Sequence, residues 1–268
     1  MTSLSESDAT STDPTQHSTS AGAAWVILPT YNEMENLPSI SAAILAALPG
    51  AVLLVVDDNS PDGTGVLADQ LAEADPRIRV RHRPTKEGLG PAYLDGFGIA
   101  LASGAGIVIQ MDADGSHDPA ALPDLIGPLL AGEADLVIGS RYTPGGRVED
   151  WSAGRRLISR GGSIYSRIIL GLRQRDLTGG FKAWRASTLA AIPFSGIHAG
   201  GYVFQIEMTY RASRDGARIR EVPITFRDRL AGQSKMGRQI VIEALIVVIQ
   251  LRLSAFRAGN AALGARRS

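Results

Sequence analysis

The chain has 268 residues with 27 basic and 27 acidic side chains, a formal net charge of zero. Its 44% hydrophobic share, only 6% aromatic, suits one globular domain cored by Ala, Val, Ile and Leu. It contains no cysteine, which excludes a disulfide scaffold, a thiolate metal site and a Cys nucleophile and fits a reducing compartment.

The zero balance is unevenly laid out. Residues 1–140 hold 19 acids and 5 bases, a net −14, whereas residues 141–268 hold 22 bases and 8 acids, a net +14. A split of this kind gives the two halves different electrostatic work. Residues 1–23 are rich in Ser and Thr and lack the basic start and apolar middle of a signal peptide, so they read as a disordered tail. One α/β domain is expected over 24–257, followed by a flexible basic tail over 258–268.

After the tail, strand-like runs at 25–28, 52–56, 78–81, 107–111 and 136–138 alternate with helix-like stretches at 37–48, 65–74, 91–102 and 120–130. This rhythm predicts a mostly parallel central sheet with helices on both faces. Ligands of such sheets bind beyond the carboxyl ends of the strands. After residue 140 a Gly-rich loop (143–151), an amphipathic helix (156–170), a helix (203–214), a strand (218–225), a polar loop (228–237) and a closing helix (239–256) follow. The longest aliphatic run, 240–249, is broken by Glu243 and falls short of the roughly 20 apolar residues of a membrane span. A soluble or peripheral protein is expected.

Polar clusters fall at the predicted strand ends. Met111-Asp112-Ala113-Asp114 places two carboxylates on one side of an extended chain directly after an apolar strand. Like charges so close repel unless a proton or cation sits between them, and a hard divalent ion bridging to substrate phosphates suits them. A solvated turn, helped by Gly115, is the bland alternative. Asp57-Asp58-Asn59-Ser60-Pro61-Asp62 follows the second strand, where carboxylates can accept hydrogen bonds from a base or ribose; Asp62 reads better as a helix cap. Pro29-Thr30-Tyr31-Asn32-Glu33 offers a ring for stacking and an acid for a sugar or base, and Lys86-Glu87-Gly88-Leu89-Gly90 is a weaker glycine signal on the same edge.

The segments at 29–33, 57–64 and 112–114, with Gly139-Ser140-Arg141-Tyr142, resemble the family-2 inverting glycosyltransferases of the GT-A (Rossmann-like) fold. Thr178-Gly179-Gly180-Phe181-Lys182, Gly201-Tyr202-Val203-Phe204-Gln205-Ile206-Glu207-Met208, Arg229 and Gly232-Gln233-Ser234-Lys235 narrow the resemblance to the polyprenol (dolichol) phosphate mannosyltransferases, over about 24–250. The resemblance implies inverting transfer of mannose from GDP-mannose to a polyprenyl monophosphate. It places Pro29, Tyr31, Glu33, Asp57, Asp58, Lys86, Gly88, Asp112, Ala113 and Asp114 around the nucleotide sugar. It also implies Mg²⁺ or Mn²⁺ on Asp112 and Asp114, with Ser116 where some relatives carry a Gln ligand. Arg141, Arg155, Arg229, Ser234 and Lys235 would meet the acceptor phosphate, and Asp114, Arg141, Arg229 and Lys235 would carry the catalytic work.

A phosphate monoester is already a nucleophile, so no strong general base is required. Glu207 is therefore expected to orient an Arg or Lys. Arg160, Arg167 and Arg173 read as solvated surface or as contacts to lipid headgroups. In the closing helix, Ile240, Ala244, Val247 and Leu251 form a stripe that faces the core or, alternatively, an isoprenoid chain or membrane interface. The expected partners are GDP-mannose, a polyprenyl phosphate lipid and the cytoplasmic face of a membrane, with room for an integral membrane partner and none for nucleic acid. Nothing interleaves aromatic platforms with Arg, and the acidic half repels a polyanion. The rival readings are a lipid-phosphate glycosyltransferase using UDP-glucose or another donor, and a non-catalytic nucleotide-sugar-binding subunit.

Overall fold

The computed structural model describes residues 22–197, 201–228 and 245–254. The first half runs β1 (Ala24–Thr30), α1 (Leu37–Ala47), β2 (Val52–Asp57), α2 (Thr64–Ala74), β3 (Ile78–His82), α3 (Leu89–Ala102), β4 (Ile107–Gln110), α4 (Leu122–Leu130) and β5 (Leu136–Ser140). The second half adds β6 (Arg147–Val148), α5 (Ala153–Leu170), β7 (Lys182–Arg185), α6 (Ala186–Ala190), α7 (Gly201–Arg214), β8 (Ile219–Pro223) and β9 (Thr225–Phe226). Residues 245–254 are helical.

Seven strands form one sheet in the order β3-β2-β1-β4-β7-β5-β8, and β6 and β9 form a small parallel pair. The expected parallel arrangement holds for β1 with β2 and β4, β2 with β3, and β5 with β8. Apolar side chains alternate to both faces, as a doubly covered sheet requires. Val26, Leu28, Val55 and Ile109 face Leu37, Ile44, Leu125 and Leu129 of α1 and α4. Trp25, Ile27, Val56 and Val108 face Tyr93 and Phe97 of α3 and Phe204 and Met208 of α7.

The sheet departs from the expected one at two places. β7, absent from the sequence reading, inserts antiparallel between β4 and β5. With four residues and a lysine at its start it presents no readable period. Because β7 runs the other way, Gly179 and Gly180 before it arrive at the same edge as the carboxyl ends of β1, β2, β4 and β5. The strand expected at 218–225 is divided into β8 and β9 at Ile224, whose N–H donates to the Ser140 carbonyl (3.1 Å) and whose carbonyl accepts from Arg147 N–H (3.0 Å). The helix at 120–130 begins as a 3-10 turn over Pro119–Ala121, capped by the Asp118 side chain.

α5 starts at Ala153, where the Ser152 hydroxyl accepts from Arg155 N–H (3.3 Å), and stops at Gly171, whose φ of 71° gives a left-handed cap. Its polarity is inverted. Ser159, Ser163 and Ser166 are buried, while Leu157, Ile158, Ile164 and Ile168 are exposed. Of the expected stripe of the closing helix Leu251 packs inward, but the residue buried beside it is Val248 in place of Val247. Val248 is buried and packs with Leu251 beside Leu170, Leu172, Leu177 and Tyr210, whereas Ile246, Ile249 and Leu253 stay exposed. Ile240 and Ala244 lie outside the described residues, as does most of the expected polar loop.

Candidate active site

The site is built on the strand order. β1 pairs with β2 on one side and β4 on the other, and such a reversal opens a crevice at the carboxyl edge. Asn32 and Asn59, just after β1 and β2, adopt left-handed φ values of 60° and 55°, a conformation Asn tolerates better than most residues. They turn the chain so that the two loops meet: Asn32 N–H donates to Ser60 Oγ (3.2 Å) and Glu33 N–H to Thr64 Oγ1 (3.0 Å). Lys86 then lies with Nζ 3.2 Å from the Tyr31 ring centroid, which brings the third loop, with Gly88 at the start of α3, onto the first.

Two expected nucleotide ligands have further duties. The buried Asp57 carboxylate accepts from Thr30 Oγ1 (3.0 Å), Ser60 N–H (3.0 Å) and Ser60 Oγ (2.5 Å), so it builds the turn between β1 and β2. Asp58, also buried, is held by the Arg83 guanidinium, which reaches Glu87 as well. Arg83, one residue past the Arg-bearing β3, is not singled out by the sequence. Glu33 Oε2 accepts from Asn36 Nδ2 (2.8 Å).

The Asp112–Asp114 segment lies past β4, in line with the expected strand end. Asp112 Oδ1 accepts from Tyr93 O–H (2.7 Å), and Asp112 N–H donates to His117 Nδ1 (3.2 Å). Accepting at Nδ1 leaves the ring proton on Nε2. His117 stacks on Phe181 at 4.9 Å, and burial lowers its pKa against the pull of Asp112 and Asp114, so the ring is neutral. Burial, then the charge of Asp112, raises the Tyr93 phenol well above its usual range. Asp114 Oδ1 accepts from Ser116 N–H (3.0 Å), with Gly115 at φ 75° making the turn. The buried Ser116 Oγ has no partner in the protein. Among the described residues no group of three His, Cys, Asp or Glu is placed to hold a metal. The available set is thus two carboxylates and a hydroxyl, all hard oxygens, which fits an ion that keeps water and substrate phosphates in its shell.

The acceptor side differs from expectation in one respect. Arg141, expected to meet the acceptor phosphate, is buried against Asp176: Nε donates to Oδ2 and NH2 to Oδ1, both at 2.7 Å, and NH2 also donates to Thr178 Oγ1 (2.8 Å). Three of its five donors are taken, so an anion can meet only the NH1 end. Burial opposes both charges, yet the pairing wins, lowering the Asp176 pKa and raising that of Arg141. Asp176 was not singled out in the sequence. Arg155 does join Arg141: their Cζ atoms lie 4.2 and 5.4 Å from the Trp151 ring. Arg155 NH1 donates to Asp228 (2.7 Å), while the buried Arg155 Nε and Trp151 Nε1 have no partner in the protein. Arg229, Ser234 and Lys235 lie outside the described residues. Glu207 accepts from Arg211 Nε (3.0 Å) and NH2 (2.7 Å) one turn along α7, so the arginine it orients is Arg211.

The chain matches glycosyl transferase family 2 over residues 25–192. It is 50% identical over 229 residues to the undecaprenyl-phosphate mannosyltransferase of Micrococcus luteus, which spans 85% of this chain and 93% of that one. It is 49% identical over 226 residues to the polyprenol monophosphomannose synthase of Mycolicibacterium smegmatis, covering 84% and 85% respectively. Among solved structures, the Mycobacterium tuberculosis glucosyl-3-phosphoglycerate synthase in complex with Mn²⁺, UDP-glucose and phosphoglyceric acid aligns with a TM-score of 0.63 at 25% identity, covering 85% of this chain and 80% of that one. Fold and motifs agree with these likenesses: the chain is a GT-A glycosyltransferase and belongs to glycosyl transferase family 2.

Proposed function

We propose that the protein transfers mannose from GDP-mannose to a polyprenyl monophosphate with inversion, giving polyprenyl β-mannosyl phosphate and GDP. The observation that carries this reading is the half-identity, over most of both chains, to two enzymes named for mannose transfer to polyprenyl phosphate. The strand-end carboxylates and the paired arginines around Trp151 support it chemically.

Tyr31, Glu33 and Asp58 hold the nucleoside, with Pro29, Lys86 and Gly88 beside them and Asp57 fixing the loop. When bound, Mg²⁺ or Mn²⁺ on Asp112, Asp114 and the Ser116 hydroxyl supplies Lewis-acid stabilisation of charge on the diphosphate. Mn²⁺ in the 25%-identical glucosyltransferase complex supports a divalent ion. The acceptor phosphate has a second pKa of about 6 and carries close to two charges near neutral pH. One of its oxygens bonds to the anomeric carbon while the bond from that carbon to GDP breaks, the electron pair leaving with GDP. No proton has to be removed, which leaves Glu207 free to orient Arg211. Arg155, the NH1 end of Arg141, Arg229, Ser234 and Lys235 offset the repulsion between the two anions.

The acceptor is a lipid, and α5 supports a membrane surface as its source. Leu157, Ile158, Ile164 and Ile168 are exposed on the helix whose buried serines back the Arg141 corner, and Arg156 and Arg160 flank them. No helix among the described residues is long and apolar enough to cross a membrane. The deciding assay incubates purified protein with polyprenyl phosphate and a panel of radiolabelled donors. Chloroform-soluble product from GDP-mannose is expected. Product from UDP-glucose alone overturns the donor assignment, and tight GDP binding with no turnover from any donor marks a binding subunit.

A further inference from the structure

Behind the Asp112 carboxylate lies a chain of buried polar side chains that the reaction as described does not use. Trp184, Gln110 and Gln205, from β7, β4 and α7, are all essentially inaccessible to solvent. Trp184 Nε1–H donates to Gln110 Oε1 (2.7 Å), and Gln110 Nε2 donates to Gln205 Oε1 (3.2 Å). An indole N–H only donates, so it fixes which end of Gln110 is oxygen, and Gln110 in turn fixes Gln205. The relay ends on the Gln205 NH₂, which has no partner in the protein. A buried donor without an acceptor carries the full desolvation penalty of its group unless a ligand meets it. The backbone at this residue is also held, because the buried Lys182 Nζ donates to the Gln205 carbonyl (2.7 Å) and to Thr209 Oγ1 (2.9 Å).

The amide borders a defined space. The position a side-chain carbon at Gly180 would take is 3.4 Å from Asp112 Oδ2 and 3.5 Å from Gln205 Nε2. An acceptor and a donor thus flank the room of one small group. A hydroxyl suits that pair, since it donates to the carboxylate and accepts from the amide. A phosphate oxygen, acceptor only, could meet the amide but has no proton to give the carboxylate. The space lies before β7, on the side of β4 away from β1 and β2, where the nucleoside-binding loops sit.

The geometry points to Gln205 as a donor to a hydroxyl of the transferred sugar, set by the Trp184–Gln110 relay and paired with Asp112 across Gly180. This assignment rests on the reading of the protein as a nucleotide-sugar-dependent transferase. Gln205 then reads the sugar and leaves the nucleotide to the β1 and β2 loops.

The test measures transfer kinetics and GDP affinity for wild type, Gln205→Leu and Gly180→Ala, with GDP-mannose and its singly deoxygenated analogues. The added methyl of Gly180→Ala stands at ordinary contact distance from both groups, so it fits the empty protein while filling the hydroxyl's place. Both variants should bind GDP within twofold of wild type and lose about 30-fold in kcat/KM, the scale of one lost hydrogen bond with its partner left buried. One deoxy analogue should lower wild type by a similar factor and abolish the difference between wild type and Gln205→Leu. An equal loss of GDP affinity, or a Gln205→Leu effect that is the same with every deoxy analogue, overturns the assignment. Should wild type use UDP-glucose and not GDP-mannose, the donor assignment falls, and the same comparison with deoxy-UDP-glucose analogues still decides the role of Gln205.

Discussion

Replacing Asp176 with Asn tests whether the Arg141 corner is an electrostatic keystone. Both side chains of the pair are almost fully buried, at 2% and 0% exposure. Asp176 accepts from the Arg141 backbone, Nε and NH2 and from Gly179 N–H (3.1 Å). The two backbone N–H groups use different oxygens, so Asn at 176 retains an acceptor for only one of them and also leaves the guanidinium charge uncompensated. Breaking a buried pair in this way costs about 3–5 kcal/mol, which is a third or more of the stability of many domains. Equilibrium urea unfolding at pH 7 should show this loss with an unchanged denaturant slope. Removing the stranded cation as well, in Asp176→Asn/Arg141→Met, should recover about 2 kcal/mol, a coupling typical of direct partners. The folded-state pKa of Asp176 is lowered, so its contribution is present above the unfolded carboxylate value and disappears as pH falls through the lower folded one. The gap between wild type and Asp176→Asn should therefore hold at pH 5–7 and narrow only in stronger acid. An Asp176→Asn variant within 1 kcal/mol of wild type, or a double variant less stable than the single, would refute the keystone role.

Asp114→Ala should abolish transfer under both Mg²⁺ and Mn²⁺, whereas Ser116→Ala should raise the metal concentration for half-maximal activity about tenfold; near-normal turnover in Asp114→Ala sinks the metal assignment. Burial lowers the Lys182 pKa to about 7, outweighing the attraction of Asp176. Between there and the unfolded value near 10.4 the unfolded chain binds a proton the native one lacks, so native stability rises with pH in that window. Relative to Lys182→Met, wild type should gain up to about 1.4 kcal/mol per pH unit between pH 7.5 and 9.5, and a flat difference in denaturation experiments contradicts the shift. Leu157→Glu/Ile168→Glu should weaken sedimentation with anionic vesicles at least tenfold while GDP affinity stays unchanged; unaltered vesicle binding removes α5 from the membrane interface.

The carboxylates of the crevice were legible because they follow apolar runs. Once a run is a parallel strand, whatever comes next must arrive at the carboxyl edge, as Glu33, Asp58 and Asp112 do. Partnerships across long sequence separations were not legible. Asp176, in an unremarkable Arg-Gln-Arg-Asp run, reaches Arg141 only because the chain turns after α5, and Arg83 reads as one more basic residue just past the Arg-bearing β3. Strand β7 escaped notice since four residues carry no usable period, yet it delivers Gly180 to the crevice and Lys182 beneath Gln205. The amphipathicity of α5 was readable and its direction was not. Apolar stripes ordinarily turn inward, but here Tyr142 O–H donates to Ser159 Oγ (2.7 Å) and Thr178 lies within reach of Ser159 and Ser163. The polar stripe is needed inside, against the ionic corner, so the aliphatic one faces out.

The same geometry explains how a chain of zero net charge keeps two charged sites apart. Within the acidic half Asp58 is matched by Arg83, and within the basic half Asp176 is matched by Arg141 and Asp228 by Arg155. Pairs that join the halves occur where Arg185 and Arg218 meet Asp135 and where Arg220 meets Glu133, before β5. That is the end of the sheet opposite the crevice. Cancellation between the halves at that end fixes β8 to β5 without bringing the basic half's arginines onto the carboxylates of the β1 and β2 loops. Each sign therefore remains at the carboxyl edge: carboxylate oxygens that suit the proposed cation and nucleotide sugar on one flank, guanidinium N–H groups that suit the proposed anionic acceptor on the other. Reaction between two anions is helped by this separation, because an arginine drawn onto a donor-site carboxylate would lie on the wrong flank for the incoming phosphate and would have fewer N–H groups to offer it.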